Sequence, residues 1–260
     1  MSVLKLGCKG GSVSAMQRQL KDLGYMIEVD GDFGPKTATA VRAFQSARGL
    51  VADGVAGPKT LKALRGGDCD KLLSEADLTA AANRLGVPLA AICAVNEVES
   101  RGEGFFATDR PAILFERHIM RRRLSVHKQR LAGWPTDLVS DKTGGYVGGM
   151  AEYRRLERAC QIHETSALES CSWGAYQIMG YHWQDLGYES VQDFVAQMQT
   201  GEAAHLDAFV RFIEANPPLL TALRQLDWEA FAKGYNGPAY RTHGYHTKLA
   251  AAYERHMEAA

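Results

Sequence analysis

Asp30-Gly31-Asp32-Phe33-Gly34-Pro35-Lys36-Thr37 returns, 23 residues further on, as Asp53-Gly54-Val55-Ala56-Gly57-Pro58-Lys59-Thr60. A repeat this short, confined to the front of the chain, marks a small duplicated module rather than a long solenoid. Each copy reads as an Asp-Gly turn followed by Gly-Pro, with proline at the first helical position, where its missing N–H costs nothing. Ahead of the first copy, Val13, Met16, Leu20 and Leu23 recur at helical spacing, with Ser12 as N-cap. Helices opening at Pro35 and Pro58 turn Ala38, Val41 and Phe44, then Leu61 and Leu64, inward. Three short helices joined by such turns close only a shallow core, too small for an enzyme. Arg65 followed by Gly66-Gly67-Asp68 reads as tether. The expected division is a module over 1–66, a linker over 67–73 and a second domain over 74–260.

The 260 residues suffice for one small and one medium domain. Thirty basic residues balance thirty acidic ones, so no global field draws the chain to nucleic acid or an anionic membrane. No apolar run reaches the length of about 18 residues that a membrane span needs, which argues against stable insertion. The start, Met1-Ser2-Val3-Leu4-Lys5-Leu6-Gly7, lacks a charged segment followed by an apolar core, so synthesis in the cytoplasm is the expectation. Five scattered cysteines read as free thiols rather than a disulfide framework. His243 and His246 lack a third ligand, and Ala167 stands where a second histidine after His163-Glu164 would complete a zinc motif. No serine sits in a Gly-x-Ser-x-Gly elbow. Neither metal nor cofactor is expected.

From about Leu72 onward the patterns are helical. Ser74 with Asp77 forms a capping-box-like start, Gly86 stops that helix, and Pro88 opens the next, which ends at Glu99-Ser100 before Gly102 and Gly104. A Gly/Pro-rich stretch from Leu131 to Met150 reads as loop or short hairpin. Helices resume over 152–170, 191–215, 218–233 and 245–256. The basic run Arg121-Arg122-Arg123 with Lys128 and Arg130 reads as a solvated helix face. On the Pro88 helix, Leu89, Ile92, Cys93 and Val95 set the apolar side; Glu99 falls inside that sector and Glu97 at its edge. A carboxyl drawn against an apolar wall loses solvation of its charged form and its pKa rises, as a glycosidase's general acid requires. A helix-end carboxylate bonded to backbone or arginine is the structural alternative.

Two further segments bear on that choice. Ser172-Trp173-Gly174-Ala175-Tyr176-Gln177 and Lys233-Gly234-Tyr235-Asn236-Gly237 each set aromatics and an amide between glycines. Aromatic faces stack on sugar rings and amides bond hydroxyl and acetamido groups, although buried aromatic turns have the same composition.

Residues 4–64 resemble the peptidoglycan-binding domain of cell-wall hydrolases, on Gln17, Gly24-Tyr25, Asp30-Gly31-Asp32-Phe33-Gly34, Phe44-Gln45, Asp53-Gly54 and Gly57-Pro58. Glu99-Ser100, Gly174-x-x-Gln177 and Tyr235-Asn236 occur in the chain order of motifs in goose-type lysozymes and lytic transglycosylases. More closely, residues from about 80 to 255 look like the N-acetylmuramidase domain of modular phage endolysins. Val98-Glu99-Ser100-Arg101-Gly102, Leu114-Phe115-Glu116-Arg117-His118, Gly144-Gly145-Tyr146 and Ser172-Trp173-Gly174 carry that likeness. The resemblance implies a mainly α fold: a small three-helix wall-binding domain linked to a lysozyme-like helical domain with a minor β or loop element. It implies cleavage of the β-1,4 bond between N-acetylmuramic acid and N-acetylglucosamine, with Glu99 as catalytic acid. Ser100, Ser172, Trp173, Tyr176, Gln177, Tyr235 and Asn236 then contact substrate, and Asp30, Asp32, Phe33 and Asp53 the wall.

Glu116 stands where a second carboxylate could act, though Arg117 and His118 make an ion pair equally natural. Asp109, Asp137, Asp141 and Glu169 are weaker candidates. A lytic transglycosylase, using the substrate's own hydroxyl, and a non-catalytic virion protein are the alternative readings. The expected partner is bacterial peptidoglycan, met by a monomer that a holin lets through to the periplasmic wall.

Overall fold

A computed structural model describes residues 3–100 and 104–258. Arg101 and Gly102, used above as motif residue and helix stop, lie outside the described residues, as do the first two of the chain. The protein is mainly α, with one small three-stranded sheet. It divides into two compact units, residues 1–79 and 80–260.

The first unit contains α1 (Gly11–Asp22), α2 (Pro35–Ala47) and α3 (Pro58–Leu64). Pro35 and Pro58 open their helices as expected, each behind an extended glycine N-cap. The N-cap of α1 is Gly10 at φ 113°, not Ser12, which lies inside the helix. Leu23 is exposed, because α1 ends at Asp22 and the chain swings away through Gly24 at φ 91°. Val13, Met16, Leu20, Phe33, Val41, Phe44 and Leu50 form the core, each large side chain contributing on the order of 2 kcal/mol by leaving water.

The duplication has a polar skeleton. Gln17 Nε2 donates to Asp30 Oδ1 (2.8 Å), the Asp32 carbonyl (3.0 Å) and Thr37 Oγ1 (3.1 Å), and its Oε1 accepts the Gly31 N–H (2.8 Å). Gln45 repeats this with Asp53 Oδ1 (2.7 Å), the Val55 carbonyl (3.0 Å), Thr60 Oγ1 (3.0 Å) and the Gly54 N–H (2.8 Å). A buried amide is tolerated only when its hydrogen-bonding groups are filled, so each glutamine holds one Asp-Gly turn shut. Asp30 and Asp53 also accept the N–H two residues on, closing Asx turns. Phe33 is 0% exposed and belongs to the core, which corrects its assignment to a wall-facing surface. Asp32 is paired with Lys9 at 2.6 Å. Leu4 bridges to Ala56 through two backbone bonds, tying the start of the chain to the second turn.

Helix α4 (Glu75–Leu85) opens with the expected capping box: the Ser74 N–H donates to Asp77 Oδ2 (2.9 Å) and the Asp77 N–H to Ser74 Oγ (3.2 Å). In the second unit, α5 (Leu89–Glu99) follows Pro88 and packs along α12 (Tyr245–Glu258). Between them lie β1 (Ile113–Phe115), α6 (Arg117–Val126), α7 (Ala151–Glu169), β2 (Cys171–Trp173), β3 (Ile178–Met179), α8 (Val191–Met198), α9 (Glu202–Glu214), α10 (Pro217–Arg224) and α11 (Trp228–Asn236). The sheet is antiparallel in the order β1-β2-β3, with Leu114 opposite Ser172 and Ser172 opposite Met179.

Three expected helices are interrupted. The 191–215 helix breaks before Gly201, the 218–233 helix breaks at Leu226 (φ 56°), where Asp227 caps α11, and α7 kinks at His163. There the imidazole Nδ1 accepts the Ser166 N–H at 3.2 Å, an internal cap for the second half of the helix. The segment between α6 and α7 is loop, without a named strand. No single helix among the described residues is long and apolar enough to cross a membrane.

Candidate active site

Helix α5 ends by separating two glutamates. Glu97 faces water and pairs with Arg255 (2.5 Å) and His256 (3.0 Å) on α12; the His256 bond, ahead of Arg255, holds its carboxyl below the ordinary range. Glu99, two residues on, is half-buried. Asn236 at the end of α11 donates its Nδ2–H to Glu99 Oε2 at 2.9 Å. Among the described residues Glu99 Oε1 and Asn236 Oδ1 are both buried without a hydrogen-bond partner. Burial raises the Glu99 carboxyl above its ordinary range; the Asn236 bond and the positive charge of Lys248 pull the other way without offsetting it. The arrangement favours the protonated form of the carboxyl, with vacant bonding capacity beside it among the described residues. Ser100 follows as an extended C-cap.

The turn from Ser172 to Gln177 is held from within. Gln177 adopts φ 53°, a left-handed conformation uncommon for a residue with a side chain. Its amide compensates: Nε2 donates to the Gly174 carbonyl (2.9 Å) and the Ala112 carbonyl (3.3 Å), while Oε1 accepts the Ser172 hydroxyl (2.8 Å). Tyr235 donates its hydroxyl to the Tyr176 carbonyl (3.0 Å), and the Tyr176 hydroxyl reaches Asn96 Oδ1 (2.7 Å) on α5. Burial pushes the Tyr235 hydroxyl far up, so it stays a donor. The Glu-Ser, Gly-x-x-Gln and Tyr-Asn segments thus meet. Trp173 and Tyr176 are 2% and 3% exposed. They support this turn from behind, which corrects the expectation that their rings contact substrate.

Glu116 sits at the end of β1. The Tyr146 hydroxyl lies 2.8 Å and 3.0 Å from its two oxygens, and His118 Nδ1 lies 3.1 Å from Oε2. Arg117, the other expected partner, turns to the carbonyls of Thr136, Lys142 and Thr143 instead. Among the weaker candidates, Asp137 pairs with Arg158 (2.6 Å), Asp109 and Asp141 are exposed, and Glu169 is enclosed. Burial alone would raise the Glu169 carboxyl, but bonds from Arg123, His127 and Trp183 outweigh it and hold it low.

Two buried acid-centred clamps were not anticipated from sequence. Glu152, 0% exposed, accepts the N–H groups of Val147 (2.7 Å), Gly148 (3.0 Å) and Phe115 (3.3 Å), together with Arg155 (2.7 Å). Arg155 also donates to the carbonyls of Phe115 (3.0 Å) and Asp137 (2.6 Å). On α9, Glu202 accepts the Gly104 N–H (2.9 Å), and His205 accepts the Ala175 N–H (3.2 Å) through Nδ1 while its Nε2 faces the Met198 carbonyl (2.7 Å). A Cβ at Gly104 or at Gly174 would lie 2.6 Å from the same imidazole. The sequence signal for both clamps was slight: an acid three positions before a base in helices that read as amphipathic.

Comparison with known proteins supplies the frame for this geometry. An N-acetylmuramidase family model matches residues 88–257, and a peptidoglycan binding domain model matches residues 9–64. The crystal structure of a Burkholderia AP3 phage endolysin is 50% identical, with a TM-score of 0.93 over 99% of this chain and 100% of that one. A zinc D-Ala-D-Ala carboxypeptidase of Streptomyces albus G is 47% identical over 62 residues, 22% of this chain and 24% of the relative. The N-acetylmuramoyl-L-alanine amidase CwlM of Mycobacterium tuberculosis is 45% identical over 56 residues, 21% of this chain and 14% of the relative. The chain therefore spans a quarter or less of these two curated relatives, in matches the size of the front module. It belongs to the N-acetylmuramidase family and has the make-up of a modular endolysin, a muramidase-type glycoside hydrolase domain preceded by a peptidoglycan-binding one.

Proposed function

We propose that the protein hydrolyses the β-1,4 bond between N-acetylmuramic acid and N-acetylglucosamine in peptidoglycan, with Glu99 as general acid. One observation carries this reading: a half-buried carboxyl, raised by burial, with one oxygen bonded to Asn236 and the other without a partner among the described residues. The proton resides on Oε1 and passes to the glycosidic oxygen as the bond breaks and positive charge develops on the muramic acid ring. The free Oδ1 of Asn236 takes an N–H or O–H of the sugar. Ser100, Gln177 and Tyr235 complete the groove, with Trp173, Tyr176 and the buried Ser172, whose hydroxyl is bonded to Gln177, bracing it. Glu116, oriented by Tyr146, stabilises the oxocarbenium-like charge or directs water.

Residues 1–66 hold the enzyme on the wall, and the 67–73 tether keeps the local glycan concentration high at the 74–260 domain. Asp30, Asp32 and Asp53 lie on the wall-facing turns. Synthesis in the host cytoplasm and release through a holin to the periplasmic peptidoglycan complete the reading, with a monomer acting alone. A second outcome has its own support: both oxygens of Glu116 are engaged by Tyr146, which favours attack by the muramic acid hydroxyl and 1,6-anhydro products.

Digestion of purified peptidoglycan followed by mass spectrometry tests both. The expected products are reducing N-acetylmuramic acid ends, one water heavier than anhydro ends. Glu99→Gln is expected to bind walls and release neither; near-normal lysis by that variant rejects the assignment.

A further inference from the structure

We propose that Tyr146 is a carbohydrate platform, its ring receiving the apolar face of an N-acetylhexosamine beside Glu116. The inference takes its ligand class from the function proposed above and adds a contact residue to it.

Tyr146 is 46% exposed, yet it is not a loose surface side chain. Its hydroxyl is tied to both oxygens of Glu116. Burial, then the Glu116 carboxylate, pushes the phenol upward, so it remains a donor. The glycine-rich loop that carries it is clamped on both sides. Before the tyrosine, Arg117 donates to the carbonyls of Thr136 (3.2 Å), Lys142 (3.0 Å) and Thr143 (2.8 Å). Gly145, at φ 83°, passes so close that a Cβ there would lie 3.1 Å from the Arg117 guanidinium. After it, Glu152 accepts the Val147 and Gly148 N–H groups.

Removing a carboxylate and a guanidinium from water costs several kcal/mol per ion, which only good geometry and further hydrogen bonds offset. Here the Glu152–Arg155 pair fixes a loop that itself has little core. What the clamps leave partly in water is one tyrosine held by its hydroxyl, next to the exposed hydrophobic Val147. An aromatic ring held still before its ligand arrives loses little entropy on binding. Its apolar face beside a carboxylate and a phenol matches a sugar ring, which offers C–H groups on one face and hydroxyls at the rim.

The test is steady-state kinetics of the full-length protein on soluble, uncrosslinked peptidoglycan chains, followed by release of reducing ends. Tyr146→Ala and Tyr146→Phe both lose the hydroxyl that orients Glu116 and are expected to share the same lowered kcat, but only Tyr146→Ala is expected to raise KM about tenfold, the mark of lost ground-state binding. Tyr146→Phe and Tyr146→Trp, which keep a ring, are expected to hold KM within about twofold. An unchanged KM in Tyr146→Ala overturns the proposal. So does a Tyr146→Phe variant whose KM rises as far as that of Tyr146→Ala, which would assign the effect to the Glu116 bond. If the wild-type protein releases no reducing ends, the muramidase reading has failed separately. Calorimetric binding of the same glycan chains to wild type and Tyr146→Ala then decides the platform alone: equal affinity overturns it, and about tenfold weaker binding supports it.

Discussion

Glu99 and Glu152 are both desolvated acids, and their pKa values are shifted in opposite directions. Burial pushes each carboxyl upward. Glu152 answers with the N–H groups of Gly148 and Val147 and with Arg155, which together hold it below the ordinary carboxylate range. Glu99 has one amide donor and a distant lysine, and stays raised. The difference lies in donor supply rather than depth. A carboxylate surrounded by N–H groups becomes a structural tie, whereas one left short of donors is pushed toward its protonated form.

The largest effect expected from breaking this contrast is catalytic. Glu99→Gln should lower kcat by about 10³-fold, within the range a positioned general acid supplies, measured as loss of turbidity of wall suspensions. The same variant should not be destabilised. Ionising a group whose folded pKa exceeds its unfolded value works against the fold. That penalty is absent below the ordinary carboxylate pKa and grows as pH rises through the raised one. Urea unfolding of Glu99→Gln should therefore match wild type in acid and show a higher midpoint at neutral pH.

Next in size, Glu152→Ala leaves Arg155 buried without its partner. It should cost about 3–5 kcal/mol in the same urea assay, as the breaking of buried pairs does. Asn236→Ala, smaller again, removes the donor that favours ionised Glu99, so the alkaline limb of the pH–activity profile should move to higher pH. Smallest is Lys248→Met, which removes only a through-space charge; the limb should move the same way by less, and less still in high salt.

Local rules with a covalent or steric origin were legible in the chain. Pro35, Pro58, Pro88 and the Ser74–Asp77 box marked helix starts without any tertiary information. The partly inward placement of Glu99 was legible from its position on the α5 wheel. Strands of two or three residues carry too little alternation to be seen, so the sheet beneath the site was not resolved beyond a minor element. Glu152, Arg155, Glu202 and His205 were missed because a charged or imidazole side chain on a helix reads as surface until its backbone partners, tens of residues away, are known. Trp173 and Phe33 failed in the opposite direction: aromatics in glycine-rich motifs suggested contact surfaces, and both pack inward.

His205 has a consequence for how this enzyme can vary. One imidazole ring is pressed from two sides by Gly104 and Gly174. It acts as a spacer whose thickness both loops have adopted. Randomising either glycine alone should therefore return glycine among active clones, and trimming position 205 should ease only the crowding, because Gly174 sits at φ 72° and Gly104 also faces Glu202.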